Sequence, residues 1–349
     1  MFAEPKFSIS EEILKLTAEI DEFKGRWRAL KTFSPDVLKQ LRRSATIESV
    51  GSSTRIEGAK LSDREVAEFL SGLRTDSFKN RDEEEVAGYA EAMNLVFDNW
   101  EFIPPTEGHI CQLHKVLLGF SKKDERHRGE YKKSANNVVA MQDGRQVGVV
   151  FETSTPFETP YEMEKLMKWV DSEVREDRVH PLLIVAVFVV TFLAIHPFQD
   201  GNGRLSRILT TLLLLRFGYA YTPFASLERV VEENKAAYYS ALRETQLSLR
   251  SDSPNWNPWI VFFLRSLVRQ KNNLENRIDL EEGVLSDLSG ISLQIATLLE
   301  TQLSITVAGV VAATGANRNT VKSALRGLLR RGWVVQKGKG RGVYYTRLP

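Results

Sequence analysis

Twelve residues of this 349-residue chain combine the side chains needed to handle a phosphate-bearing group: His196-Pro-Phe-Gln-Asp-Gly-Asn-Gly-Arg-Leu-Ser-Arg207. Gly201 and Gly203 free the backbone to turn its amides toward an anion. A helix predicted to begin near Gly203 adds unpaired N–H groups and the positive end of its dipole. Arg204 and Arg207, three residues apart on that helix, suit a di- or triphosphate. Asp200 stands where a carboxylate could hold Mg²⁺ beside phosphates. His196 is the one imidazole of the segment and could take a proton from an attacking hydroxyl. A structural turn would need none of these together. The segment has no G-x-x-x-x-G-K-[ST] motif and follows a helical rather than a strand pattern, so it is neither a P-loop nor a dinucleotide fingerprint.

The elements that must position these residues read as helices. The run Leu182–Ile195 is almost wholly apolar but only 14 residues long, too short to span a membrane, which takes roughly 20. It is read as a helix buried on all sides, and no membrane partner is expected. Periodicity and end signals predict further helices at 10–30, 35–48, 63–72, 82–99, 106–119, 160–177, 203–217, 233–249 and 256–278. Ser62-Asp-Arg-Glu65 reads as a capping box. Residues 136–155, with β-branched pairs around Asp143-Gly144, read as a β-hairpin. His109, Cys111 and His114 fall on different sides of one helix and read as packing residues rather than a metal site.

HPFQDGNGRLSR resembles the signature of the Fic family, H-x-F-x-D/E-G-N-G-R-x-x-R, at every fixed position. The resemblance implies a mainly α fold. Its parts would be a helical core with a short β-hairpin flap, an N-terminal helical segment and a small C-terminal domain. It also implies transfer of AMP from ATP, with Mg²⁺, to a Ser, Thr or Tyr hydroxyl of a target protein, the chain itself included. His196 would be the base and Asp200 the metal ligand. Gly201, Asn202, Gly203 and Arg204 would form the anion hole, and Arg207 would grip the γ-phosphate. Related Doc kinases carry lysine at the position of Gly203, and glycine there favours AMP transfer.

Further elements follow from the same likeness. Ser53-Thr-Arg-Ile-Glu57-Gly58 resembles the family's inhibitory motif, [S/T]-x-x-x-E-[G/N], in which Glu57 would pair with Arg207 and displace the γ-phosphate. The hairpin falls where the family has its flap, so Val149, Val150, Phe151, Glu152, Thr153, Ser154 and Thr155 would offer an edge to the target's backbone. Gly129-Glu-Tyr131-Lys132 resembles a G-x-Y-R element with lysine in place of arginine. Tyr238 and Tyr239 resemble paired tyrosines near the adenine and ribose, and Gln246 stands where the family commonly has asparagine near the base.

The charge is uneven. From Thr301 to Pro349 there is no Asp or Glu but nine Lys or Arg, although the whole chain carries only +2. From about Leu285 the order helix, helix, helix, hairpin resembles a winged helix-turn-helix. Arg318, Asn319, Lys322 and Arg326 would then face DNA, with Lys337, Lys339 and Arg341 on the wing. Such modules also dock proteins or dimerise, so a homodimer is compatible with it. The domains are drawn at 1–100, carrying the inhibitory helix, 101–280 for the catalytic core, and 281–349. A single cysteine, Cys111, excludes an internal disulfide and fits a cytoplasmic location, as does the lack of a secretory signal. The reading of another class is a DNA-binding regulator with the Fic core as nucleotide sensor. Transfer of a different nucleotide or phosphate-containing group is a third.

Overall fold

The computed structural model describes residues 5, 8–29, 35–72, 78, 80–136, 138–142, 145–251, 253–287, 290–302, 304–330, 332–338 and 340–347. Among them are fourteen α-helices and two antiparallel β-hairpins, a mainly α fold. In chain order these are α1 (Glu11–Ala29), α2 (Pro35–Ile56), α3 (Asp63–Ser71), α4 (Arg81–Asn99), α5 (Glu107–Leu117), β1 (Val138–Gln142), β2 (Arg145–Phe151), α6 (Thr159–Glu176), α7 (Pro181–Ile195), α8 (Asn202–Arg216), α9 (Leu227–Glu233), α10 (Lys235–Ser248), α11 (Asn257–Asp287), α12 (Ile291–Thr301), α13 (Val307–Thr314), α14 (Arg318–Arg330), β3 (Val334–Lys337) and β4 (Tyr344–Arg347). No helix among the described residues is long and apolar enough to cross a membrane. The chain divides into two compact units, one of residues 1–32 with 45–271, the other of 33–44 with 272–349.

The first unit is built on α7. Thirteen of its fifteen residues are buried, so it has no solvent face. Trp259 Nε1 donates to the Ala186 carbonyl at 2.7 Å and satisfies the indole in this apolar setting. α7 ends at His196, whose φ of 54° is left-handed, an uncommon conformation for a residue with a Cβ. Five residues on, Gly201 (φ 79°) starts α8, which has no side-chain cap. The first N–H groups of α8 are therefore left for something other than the helix itself.

Three sequence expectations changed: α11 runs on to Asp287 rather than ending near residue 278, and two changes bear on the site. α2 does not stop near residue 48 but continues to Ile56, through Gly51. Glycine is a poor helix former, yet here a side chain would collide with the Arg55 guanidinium and the Asp63 carboxylate. Those groups form an ion pair at 2.9 Å. α2 then ends in a Schellman turn: Ala59 N–H donates to Thr54 O and Gly58 N–H to Arg55 O, both at 3.1 Å, with Gly58 at φ 108°. The second change is α9, a short helix before α10 that the sequence reading missed. The capping box at Ser62 and Glu65 is formed, and it starts α3.

β1 and β2 pair antiparallel, with Val138 opposite Phe151, Val139 opposite Val149 and Gln142 opposite Arg145. The Asp143-Gly144 turn lies outside the described residues.

In the second unit, Ile295, Leu299, Ile305, Val310, Val321, Leu325, Leu328, Trp333 and Val334 make one apolar core. β3 pairs with β4, and Ile305 bridges to Tyr345 through two backbone hydrogen bonds of 2.8 and 2.9 Å. α14 is sharply two-sided: Val321, Leu325 and Leu328 are buried, while Arg318, Asn319, Lys322 and Arg326 are exposed. Lys337 is exposed as well, and Lys339 and the Arg341 side chain lie outside the described residues.

α4 and α5 approach so closely that a Cβ on Gly88 would overlap the Leu117 carbonyl. Gly88→Ala should therefore destabilise the first unit by about 1–3 kcal/mol, the usual cost of overpacking. A chemical denaturation midpoint equal to that of the wild type would refute this contact.

Candidate functional site

His196 sits at the C-terminal end of α7 with its ring turned back on the helix. Its Nδ1 lies 3.2 Å from the Leu193 carbonyl. A carbonyl only accepts, so Nδ1 carries the hydrogen and the lone pair stands on Nε2. Burial pushes the imidazole down to about 4; Lys132 adds to this, while the Leu193 bond, Glu57 and Asp200 oppose it. The ring is thus neutral near pH 7 and can accept a proton at Nε2.

The loop after His196 is held by its own side chains and by α5. Asn202 Oδ1 accepts from the Phe198 N–H at 2.9 Å, and Asn202 Nδ2 donates to the Phe198 carbonyl at 2.7 Å. The Asn202 side chain is therefore a clasp across the loop. What it has left for an anion is its backbone N–H, the group that an anion hole at the start of α8 would use. His114, fully buried on α5, accepts the Gly129 N–H at Nδ1 (2.8 Å) and lies 2.9 Å from the Asp200 carbonyl at Nε2. Both contacts require the neutral Nε2–H form. Its ring stacks on Phe198 with centroids 3.9 Å apart. The expectation of packing was incomplete, because this histidine also pins the backbone of Asp200.

Asp200 accepts the Gly201 N–H at 2.6 Å and pairs with Arg81 at 3.1 Å and Arg204 at 3.4 Å. Burial raises its carboxyl, but Arg204, the Gly201 amide, Arg81 and Lys123 together bring it below the ordinary value. Arg204 itself is turned inward, 2% exposed, with its other ion pair to Glu85 at 3.3 Å. The guanidinium expected to face a phosphate thus pairs with Asp200 and with a partner on α4 that local spacing could not reveal, while its buried Nε and Nη1 have no hydrogen-bond partner among the described residues. Gly203 is required by its surroundings: a Cβ there would overlap Glu57 Oε1.

Arg207 is the centre of the site. Only 7% exposed, it donates from Nε to Ser53 Oγ (2.8 Å), and from Nη2 to the Ser53 carbonyl (3.1 Å) and Glu57 Oε1 (2.7 Å). Burial works against its charge; the Glu57 carboxylate leads the groups that outweigh it, so its pKa is raised. Glu57 follows the last turn of α2, and the Schellman turn at Gly58 ends the helix there. The Ile56 carbonyl is capped by Lys235 Nζ at 2.8 Å. The Ser53–Gly58 motif and the signature arginine are thus in contact, Glu57 and Arg207 lying 150 residues apart in sequence.

The other expected residues divide. Tyr238 is buried beside Arg207 and packs edge-on against Trp259 at 5.8 Å, whereas Tyr239 is 45% exposed. Gln246 is buried on α10, two turns from Tyr239. Of the flap residues, Val149, Val150 and Phe151 lie in β2, and Glu152 to Thr155 follow it. Phe151 and Thr153 are buried, and Thr155 gives its N–H and Oγ1 to Glu158 Oε2 at the entrance of α6. Their side chains are thus taken up by the core and by the start of a helix. A cavity of about 550 Å³ opens beside this stretch, lined by Phe151, Thr153, Glu162, Ile195, Arg250 and Trp256 among others.

No cluster of three acidic, histidine or cysteine side chains able to hold a metal occurs among the described residues. Asp200 fits the other pattern, one ionised carboxylate beside a phosphate cradle, which suits Mg²⁺ shared with a nucleotide. Its Oδ2 now faces Arg81, a half-exposed cation that a metal ion would replace.

Known proteins bear on this geometry. The family described as Fic/DOC matches residues 104–214. The protein adenylyltransferase Fic of Drosophila melanogaster is 28% identical over 188 residues, covering 53% of this chain and 36% of that protein. Its namesake in Aedes aegypti is 29% identical over 187 residues, covering 52% and 34%. The chain thus spans about a third of the length of these relatives. A Fic family protein from Desulfovibrio desulfuricans shares the fold over 99% of this chain and 98% of its own, with a TM-score of 0.65 at 22% identity. Fic-1 from C. elegans does so over 78% and 73%, with a TM-score of 0.59 at 19% identity. Residues 104–214, running from the helix that carries His114 to the helix that carries Arg207, are a Fic/DOC family domain.

Proposed function

We propose that this chain is a protein adenylyltransferase held in an inhibited state by Glu57. One observation carries the reading: a carboxylate lies on the N-terminal turn of α8, bonded to the buried Arg207 at 2.7 Å and packed where Gly203 leaves room. A site that holds one oxyanion there is built to hold another. The curated relatives, named as adenylyltransferases, support the same chemistry.

In the proposed reaction the terminal phosphate of ATP replaces the Glu57 carboxylate on Arg207. The free amides at the start of α8 face the other phosphates. The hydroxyl oxygen of a Ser, Thr or Tyr side chain attacks the α-phosphorus while His196 Nε2 takes its proton. The bond from the α-phosphorus to the oxygen bridging the β-phosphate breaks, and pyrophosphate leaves. Asp200 would hold Mg²⁺, which offsets charge building on the leaving group. β2 offers its edge to the acceptor's backbone.

The exposed basic stripe of α14 supports a second activity, binding of duplex DNA by a winged-helix module, with Arg318, Lys322 and Arg326 at successive four-residue steps. Arg318→Ala with Lys322→Ala should weaken duplex binding and flatten its salt dependence by about two charges. A slope identical to that of the wild type would count against DNA as the partner.

The catalytic reading is tested with α-labelled ATP and Mg²⁺ on a lysate. Glu57→Gly should raise protein labelling above the wild-type level, and Glu57→Gly with His196→Ala should lose roughly 10²–10⁴-fold, the contribution of a general base. Equal labelling by the double variant would remove His196 from the chemistry.

A further inference from the structure

Lys132 is the residue at which the Gly129–Lys132 element departs from G-x-Y-R, and it is 3% exposed. All three of its ammonium donors are used, each on a neutral acceptor. Nζ donates to Asn136 Oδ1 at 2.8 Å, to Thr153 Oγ1 at 3.0 Å and to the Ile195 carbonyl at 3.0 Å. Its backbone N–H donates to the Pro197 carbonyl at 2.8 Å. Asn136 extends the same set, giving Nδ2 to the Phe198 carbonyl at 2.6 Å and the His196 carbonyl at 3.3 Å. Thr153 Oγ1 closes it by donating to Asn136 Oδ1 at 3.1 Å.

The topology gives these bonds a meaning. Asn136 stands just before β1 and Thr153 just after β2, so they are the two roots of the flap. The carbonyls of residues 195 to 198 are four in succession, and all are held from Lys132 and Asn136. Ile195 ends α7, where carbonyls lack helix partners and a cation is favoured. His196 is in the left-handed region, which costs about 1–2 kcal/mol and persists only where the surroundings over-determine it.

We propose that Lys132 is a positioning residue that ties both roots of the flap to the backbone carrying His196, so that one buried ammonium sets the seat of the acceptor and the aim of the base together. It touches neither nucleotide nor acceptor. The proposal rests on the reading of His196 as the base and of the hairpin as the docking edge. An ordinary packing role predicts something different, a loss of activity that merely follows loss of stability.

The test uses the full chain in the Glu57→Gly background, with Lys132→Met, which keeps the stem but no donor, and Lys132→Arg, which restores donors and charge. Lys132→Met should raise amide hydrogen exchange in the segments 145–155 and 195–199 together. It should lower kcat for AMP transfer about a hundredfold, the scale of an ångström-sized misplacement. KM for ATP should be unchanged, because the phosphate cradle is held by Ser53, Asn202 and His114 instead. Lys132→Arg should recover most of both readouts. Unchanged exchange in either segment overturns the proposal, and so does a parallel loss of ATP affinity and melting temperature. A Glu57→Gly parent that transfers no AMP would instead refute the adenylyltransferase reading, and the exchange data would still decide on Lys132.

Discussion

A buried guanidinium must have an anion. Arg207 is almost wholly inside the protein, and Ser53 supplies its remaining acceptors through neutral oxygens. Removing the Glu57 carboxylate bonded to it would leave a charge in low dielectric, a change that typically costs about 3–5 kcal/mol. Much of the first unit is arranged around this need. α2 ends where it does so that Glu57 reaches α8. Gly203 is small so that the carboxylate fits. Tyr89 and Tyr238 close the remaining sides without supplying a competing charge. In the proposed mechanism inhibition needs no separate domain or lid, since the resting anion and the substrate's terminal phosphate would be alternatives for one cation.

The catalytic loop obeys a second constraint. Its chain direction reverses between two buried helices, at a histidine in a conformation that costs free energy. The loop is stabilised less by ion pairs than by polar groups in the core: Asn202 across the loop, His114 beneath Asp200, and Lys132 with Asn136 along the carbonyls. Such groups are costly when left unpaired, so each must find its partner at once. That is how the six-residue connection between α7 and α8 is held in place.

Much of this was legible in the chain because it depends on spacing along one segment. The buried helix, the glycine turn, the new helix and the positions of His196, Asp200 and Arg207 all follow from residues 182–216 read alone. So do the two faces of α14. What escaped depends on partners far away in sequence. Arg204 looked like a phosphate ligand until Glu85 on α4 claimed it. Asn202 looked the same, yet its amide closes the loop on Phe198. Gly51 looked like a break, but it makes room for the Arg55–Asp63 pair inside a helix. His114 read only as a packing residue and Lys132 only as a departure from a short motif, because what matters is the backbone they reach, 86 and 63 residues on respectively. The link from Glu57 to Arg207 spans more than either, and only the likeness of two short motifs pointed to it.

The exchange of one anion for another at Arg207 is measured most directly by thermal unfolding of the wild type and Glu57→Gly with Mg²⁺ and either ATP or ADP. Without nucleotide, Glu57→Gly should melt below the wild type, because Arg207 has lost its counter-charge. ATP should restore that loss and exceed it, whereas ADP, which has no γ-phosphate to place on Arg207, should restore far less. Equal stabilisation of Glu57→Gly by ATP and ADP would contradict the claim that Glu57 and the terminal phosphate compete for this one guanidinium.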